Sequence, residues 1–297
     1  MLLEAIYEPT FSEHSHGFRP GRSCHTALKE VQANFTGVNW VIEGDITACF
    51  DCFDHHVLIE ILRRRIQDEH FISLMWKFLK AGYMEQWEYH RTFSGTPQGS
   101  GVSPILANIY LTELDRFMET FTTRFNRDSG KGYRLPSPEY NRVHHQYNKA
   151  KKNLSVAEDH RAAVREFKQA QHRQLDTPSF PQFDPQYKRL QYNRYADDFV
   201  VGVIGSREDA ERIKSEIGQF LSTQLKLTLS TEKTKVTHSS KLIRYLGYDF
   251  TVRRCKASKR GKDGILRRHL NYKVALYVPH DKWEGKLWEY RAMKIAR

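Results

Sequence analysis

Two adjacent aspartates, Asp197 and Asp198, interrupt a stretch that otherwise reads as strand. From Gln191 the residues alternate, and past Asp198 they turn largely apolar up to Val203. That pattern predicts a β-hairpin with Ala196-Asp197-Asp198 at its tip. Adjacent carboxylates repel each other unless a cation neutralises them, although a turn also accepts Asp for local backbone reasons. A third acid narrows the choice. Asp45 follows Trp40, Val41 and Ile42 near the end of a predicted strand over 39–46, where a buried sheet side chain would be expected. If that strand neighbours the hairpin, three carboxylates converge. Such oxygens suit Mg²⁺, which keeps waters and accepts substrate phosphates as further ligands. Two such ions would clamp the attacking and leaving oxygens of an in-line displacement, the chemistry of nucleotidyl transfer.

The rest of the chain supplies a frame for these acids. Apolar spacing predicts a short helix over 1–8, a helix over 56–66 and a long helix starting near Pro104. Loops are expected at 16–23 and 95–101, where Gly, Pro and Ser gather. After the hairpin, Ser206 followed by Asp209 predicts a capped helix. Strands are then expected at 226–229, 235–238 and 245–252. This order fits an α+β fold with an antiparallel or mixed sheet covered by helices on one face. It is closer to a ferredoxin-like, split βαβ layout than to a doubly wound sheet.

Charge is unevenly spread. The chain carries a formal net charge of +12, which points to a polyanionic partner. Residues 119–189 hold 14 Lys/Arg against 8 Asp/Glu, and residues 251–297 hold 14 against 4, while the remainder is slightly acidic. A protein gripping a phosphate backbone around an acidic metal site would divide its charge this way. Within the first of these segments, 126–188 is polar and poor in aliphatics. It is expected to be an insertion that is mobile or ordered by a partner, with one polar helix over 156–174. The four cysteines are too sparse for a disulfide framework, and Cys49-x-x-Cys52 lacks a second pair to complete a zinc site. No run of about 18 apolar residues occurs, so no membrane span is expected. The first residues do not read as a signal peptide.

The wording of the motifs is more specific still. Tyr195-Ala196-Asp197-Asp198 with Phe199-Val200 resembles the Y-A-D-D signature of group II intron reverse transcriptases. Asp45 through Asp51 is similar to that family's first catalytic motif. Gly95-Thr96-Pro97-Gln98-Gly99 and the run from Ser103 to Leu111 resemble its P-Q-G block. Gly17 through Ser23 resembles its fingers motif, and Thr231–Lys235 and Tyr245–Tyr248 resemble the two motifs past the catalytic turn. Six blocks in family order span nearly the whole chain outside 119–189. The block after Gln98 reads Gly99-Ser100-Gly101-Val102-Ser103, a small departure from the commoner wording.

The resemblance implies a right-hand polymerase. Residues 1–40 would be partial fingers, 41–125 palm and fingers, and 126–188 a basic insertion. Residues 189–250 would complete the palm, and 251–297 would lead toward an absent thumb. It further implies two Mg²⁺ ions, with Mn²⁺ able to substitute, held by Asp45 and Asp197. Asp198 would be auxiliary, and Ile46 would lend its carbonyl. Phe50 would be the gate beneath the sugar 2′ position, and Gln98 would pack on the incoming sugar and template pair. Arg19 and Arg22 would meet the triphosphate, Lys233 would protonate the leaving pyrophosphate, and Leu246-Gly247 would form the primer grip. Ordinary core packing for Phe50 and a solvated surface for Arg19, Arg22 and Lys233 are the plain alternatives.

The function so implied is RNA-directed DNA polymerisation joined to a maturase role. The partners would be group II intron RNA, an RNA template with a DNA primer, and dNTPs, in a bacterial cytoplasm or an organelle. Only sixteen residues precede Gly17 and about fifty follow Tyr248, so a trimmed chain is expected. A surface bared by a missing thumb would admit a homodimer. Rivals are an RNA-binding maturase module with weak or no polymerase activity, an RNA-dependent RNA polymerase, and a reverse transcriptase from a non-intron element. Phe50 opposes the second, because its ring would clash with a 2′-hydroxyl.

Overall fold

A computed structural model describes residues 2–81, 83–85, 88–90, 95, 101–127, 134–181, 184, 186–255, 258–262, 264, 266–269 and 271–290. In chain order its first elements are α1 (Leu2–Tyr7), α2 (Cys24–Asn34), β1 (Trp40–Gly44), α3 (Cys49–Cys52), α4 (His55–Arg63) and α5 (Glu69–Lys80). The short strands β2 (Tyr83–Glu85) and β3 (Glu88–His90) precede the long helix α6 (Ser103–Phe125), then α7 (Pro138–Asn153) and α8 (His160–Asp176). The hairpin is β4 (Arg189–Tyr195) and β5 (Asp198–Ile204), followed by α9 (Arg207–Gln224) and β6 (Lys235–His238). Beyond it lie β7 (Ile243–Tyr245), β8 (Tyr248–Val252), β9 (Ser258–Arg260), β10 (Leu266–Arg268), β11 (Val274–Tyr277) and α10 (His280–Glu289).

The central sheet has the order β4-β5-β1-β6 and is antiparallel throughout. Two helical excursions, ending in α6 and formed by α9, connect these four strands, as in the ferredoxin-like layout. Alternation along the strands sends residues to two different cores. Ile42, Phe199 and Val201 join α6 and α9 residues such as Leu106, Ile109, Ile213 and Ile217 on one side. Val41 and Val200 join Val31, Phe35 and Phe250 on the other. β5 therefore has little polar face, and Phe199 through Ile204 are all buried. The second face is covered by α2 and by a three-stranded sheet of order β11-β8-β7, in addition to the helical cover expected from sequence.

Three expectations change. Residues 226–229 form no strand: Lys226 takes a positive φ of 53°, and the segment holds only an isolated bridge from Leu229 to Ile46. Residues 245–252 are not one strand, because Leu246 and Gly247 turn the chain between β7 and β8. The inserted segment is a helical hairpin. Ser137 caps α7 with Pro138 in its first turn, Asp159 caps α8, and Tyr147 and Phe167 pack between them. The expected helix over 156–174 begins too early, since Val156 lies exposed in the link between the two helices. The hairpin is also tied to the C-terminal region, where Arg268 donates to the carbonyls of Gln174, Leu175 and Thr177.

Candidate active site

β4 and β5 are joined through Ala196 and Asp197 alone, because Tyr195 pairs with Asp198. Ala196 takes a φ of 56°, a value such tight hairpin turns require at their first central residue and glycine usually supplies. The surroundings hold alanine there. Arg194 is fully buried and donates to the Ala196 carbonyl at 2.8 Å. Its guanidinium also forks onto Asp115, from Nε at 2.8 Å and Nη2 at 2.6 Å, and reaches Ser15 Oγ at 2.8 Å. Asn108 accepts from the same guanidinium and donates to the Gly17 carbonyl. A Cβ on Gly17 would lie 2.3 Å from the Ala196 nitrogen, so only glycine lets the N-terminal loop seat on the turn. Sequence reasoning missed Arg194 and Asp115. The available signal was an acid interrupting the apolar stripe of α6, with an arginine directly before the Y-A-D-D block.

A second tie lies beneath the turn. His14 and His16 both hydrogen-bond Glu30, which also accepts from Asn193 of β4. Burial pushes Glu30 up, but the bonds from His14 and His16 outweigh it and hold the carboxyl down at about 2.

The register of β1 on β5 sets Gly44 opposite Phe199. Continued one step, it sets Asp45 across from Asp198. These two acids line a cavity of about 280 Å³ with Lys233, Arg244, Tyr245, Leu246 and Gly247. Asp197 sits half-buried in the adjoining turn. Burial pushes Asp197 up, and the charge of Asp45 adds to the push. Asp198 is pushed up to about 6, by burial first and then by Asp197 and Asp45. Its side is open to solvent, so water blunts part of that push. Lys233 Nζ lies 3.2 Å from Asp45 Oδ2, a counter-charge for at least one acid. Among the described residues no group of three or more His, Cys, Asp or Glu side chains stands ready to hold a metal. The carboxylates share a cleft without forming a closed cage.

Leu246 and Gly247 take φ values of 50° and 77° while Tyr245 pairs with Tyr248. Two positive φ values in a two-residue turn define the I′ type. This turn lines the same cavity as Asp45 and Asp198. Phe50, half-buried, packs edge-on against Phe18 and Phe53, with centroids 6.2 and 6.1 Å away. Ile46 is buried beyond Asp45, bridged to Leu229. Gln98 lies outside the described residues, as do Thr96, Pro97 and Gly99. Gly95 is described, and is anchored by its N–H to the Phe53 carbonyl and by its carbonyl to His55 Nε2.

Arg19 is turned inward. It pairs with Glu8 at 2.9 Å and donates to the carbonyls of Ser12 and Ser15. Arg22 donates to the carbonyls of Glu13 and Ser15. Both arginines therefore brace the loop that carries Gly17. Cys49 is buried, and burial pushes its thiol well up, whereas Cys52 is exposed.

Comparison with known proteins bears on this arrangement. The chain is 45% identical over 280 residues to the group II intron-encoded protein LtrA of Lactococcus lactis subsp. cremoris, covering 94% of this chain and 46% of that protein. It is 40% identical over 290 residues to an uncharacterized 91 kDa protein in the cob intron of Schizosaccharomyces pombe, covering 97% and 34%. Nuclear intron maturase 1, mitochondrial, of Arabidopsis thaliana is 25% identical over 305 residues, covering 84% and 38%. The chain thus spans about half or less of the length of these relatives. The family model described as reverse transcriptase (RNA-dependent DNA polymerase) matches residues 1–134 and 163–250, passing over α7, resuming within α8 and running through Asp45, Asp197 and Asp198. The chain belongs to the reverse transcriptase family.

Proposed function

We propose that this chain is the fingers-and-palm core of an RNA-directed DNA polymerase of the group II intron-encoded kind, which also binds its intron RNA as a maturase. One observation carries the polymerase half. The β1–β5 register brings Asp45 opposite Asp198 at a cleft shared with Lys233 and the Leu246-Gly247 turn. In this reading Asp45, Asp197 and the Ile46 carbonyl would hold divalent cations, Mg²⁺ or Mn²⁺, with Asp198 as auxiliary carboxylate. The donor set fits in type, being a few hard oxygens with room left for water and phosphate. When bound, such ions supply positive charge at the attacking and leaving oxygens.

The other roles belong to side chains. Lys233 gives its proton to the departing pyrophosphate. Phe50 fills the space a 2′-hydroxyl would need, and Gln98 packs on the incoming sugar and the template pair. Arg22 holds the triphosphate, joined by Arg19 once that side chain leaves Glu8. The Leu246-Gly247 turn supports the primer end. Residues 1–125 and 189–250 serve as fingers and palm, and the basic segments 126–188 and 251–297 grip RNA phosphates. Partners are intron RNA, an RNA template with a DNA primer, and dNTPs.

Primer extension on an RNA template with dNTPs and Mg²⁺, run beside filter binding of intron RNA, tests this. DNA product that Asp197→Asn abolishes, with RNA affinity held within a few-fold, is expected. RNA binding without any product would reduce the chain to a binding module.

A further inference from the structure

A second cavity, of about 330 Å³, lies between the inserted hairpin and β10, far along the chain from the catalytic acids. One wall is a ladder of rings on α7. Tyr140 stacks on His144 at 5.8 Å with planes 11° apart, and His144 on Tyr147 at 6.3 Å with planes 23° apart. The spacing of four and then three residues keeps the three rings on one helix face. The ladder is built rather than incidental. The Gln174 amide of α8 hydrogen-bonds His144 Nδ1 at 2.7 Å and also donates to the Tyr140 hydroxyl at 3.4 Å. Tyr147 is buried at the base, backed by Phe167. His144 is exposed, so one ring of the ladder remains open to a partner.

The rim of this cavity is cationic. Lys151 and Arg267 line it, both exposed, along with Arg268, whose guanidinium locks β10 to the end of α8. The neighbouring face of α7 adds Lys149 and Lys152 around a further concavity with His145. Aromatic rings beside a basic rim match what an unpaired nucleotide offers, a flat base and a phosphate.

We propose that this cavity binds an unpaired nucleotide of an RNA strand, its base stacked on His144 and Tyr140 and its phosphate against Lys151 and Arg267. This rests on the reading that the chain binds RNA. It adds a strand-reading point on the insertion, separate from the catalytic cleft.

The test uses the full chain and a short single-stranded oligoribonucleotide carrying one 2-aminopurine, whose fluorescence falls when the base stacks. Wild type should quench the probe. His144→Ala should weaken binding on the order of 5- to 100-fold, the range set by losing one base–aromatic stack. His144→Phe, which keeps a ring and loses the nitrogen, should retain most of the quench. Lys151→Gln should flatten the salt dependence by about 0.7 in log–log slope. Melting curves on each variant confirm that the exposed substitutions leave the fold intact. Quenching and affinity untouched by His144→Ala, while wild type binds the probe, would overturn this proposal and leave the polymerase reading standing. A wild-type chain that binds no RNA would overturn both.

Discussion

Asp197, Asp198 and Asp45 are the residues whose proposed roles are easiest to break. Asp45→Asn or Asp197→Asn removes a carboxylate oxygen proposed to hold a metal and leaves Lys and Arg untouched. DNA synthesis should fall to near background in primer extension, while filter-bound RNA stays within a few-fold. Phe50→Val should raise the alkali-sensitive fraction of product made from mixed NTP and dNTP, because the ring no longer occupies the 2′ space. An unchanged fraction would mean that Phe50 only packs on Phe18 and Phe53. Arg194 offers a test of stability. Arg194→Met leaves Asp115 buried without its guanidinium and frees the Ala196 carbonyl. A loss of about 3–5 kcal/mol in denaturant unfolding is expected, the range for breaking one side of a buried pair. The acids were legible in the sequence because carboxylates at strand ends contradict their apolar neighbours. Arg194 was not, since nothing local says that a strand arginine faces Asp115, seventy-nine residues away.

At the level of elements, hydrophobic period and caps carried most of the weight. Ser206 and Asp209 form the reciprocal capping box that their spacing suggests, and β6 runs from Lys235 to His238 as its alternation predicts. Turns inside apolar runs were harder. Tyr245 through Val252 reads as one strand until backbone geometry reveals Leu246 in a left-handed conformation, which leucine seldom adopts. The inserted helices were obscured for the opposite reason. Their faces are so polar that no apolar stripe marks them, and they rest on each other and on β10. The Glu30 tie between β4 and the N-terminal loop carries a pH prediction. A carboxyl held at about 2 in the folded chain, against an ordinary 4.5, favours the folded state above pH 4.5. That contribution fades as pH falls from 4.5 toward 2, because both states then bind the proton. Glu30→Gln should remove on the order of 2 kcal/mol near pH 6 and flatten the acid limb of the stability profile. A profile parallel to wild type would show that Glu30 is not the group titrating.

For the whole molecule, the division of charge is the organising feature. The acidic cleft lies on the central sheet, while the positive excess sits in the inserted hairpin and the C-terminal segment. Each phosphate neutralised releases counterions, so RNA affinity should fall with salt at a log–log slope of about 0.7 to 0.9 per contact. Replacing residues 134–181 with a short Gly/Ser linker should make that slope shallower in filter binding, and leave the register of β1 on β5 unaltered. An equal slope would move RNA contact to other surfaces. Among the described residues no helix is long and apolar enough to cross a membrane.

The seating of Gly17 on Ala196 also sets a timetable. Ser15 bridges Arg194, so the N-terminal loop waits for a partner 179 positions further along. Synthesis proceeds from the N-terminus, and contacts so distant in sequence must overcome loop-closure entropy before they reward it. The loop with Arg19 and Arg22 therefore leaves the ribosome early, holding only its local contacts and then Asn108, and meets Arg194 when β4 emerges. Every nascent chain passes through a long interval in which His14 and His16 can already meet Glu30, while Gly17 has no Ala196 to seat on. The hairpin thus closes late, over a loop that was made first.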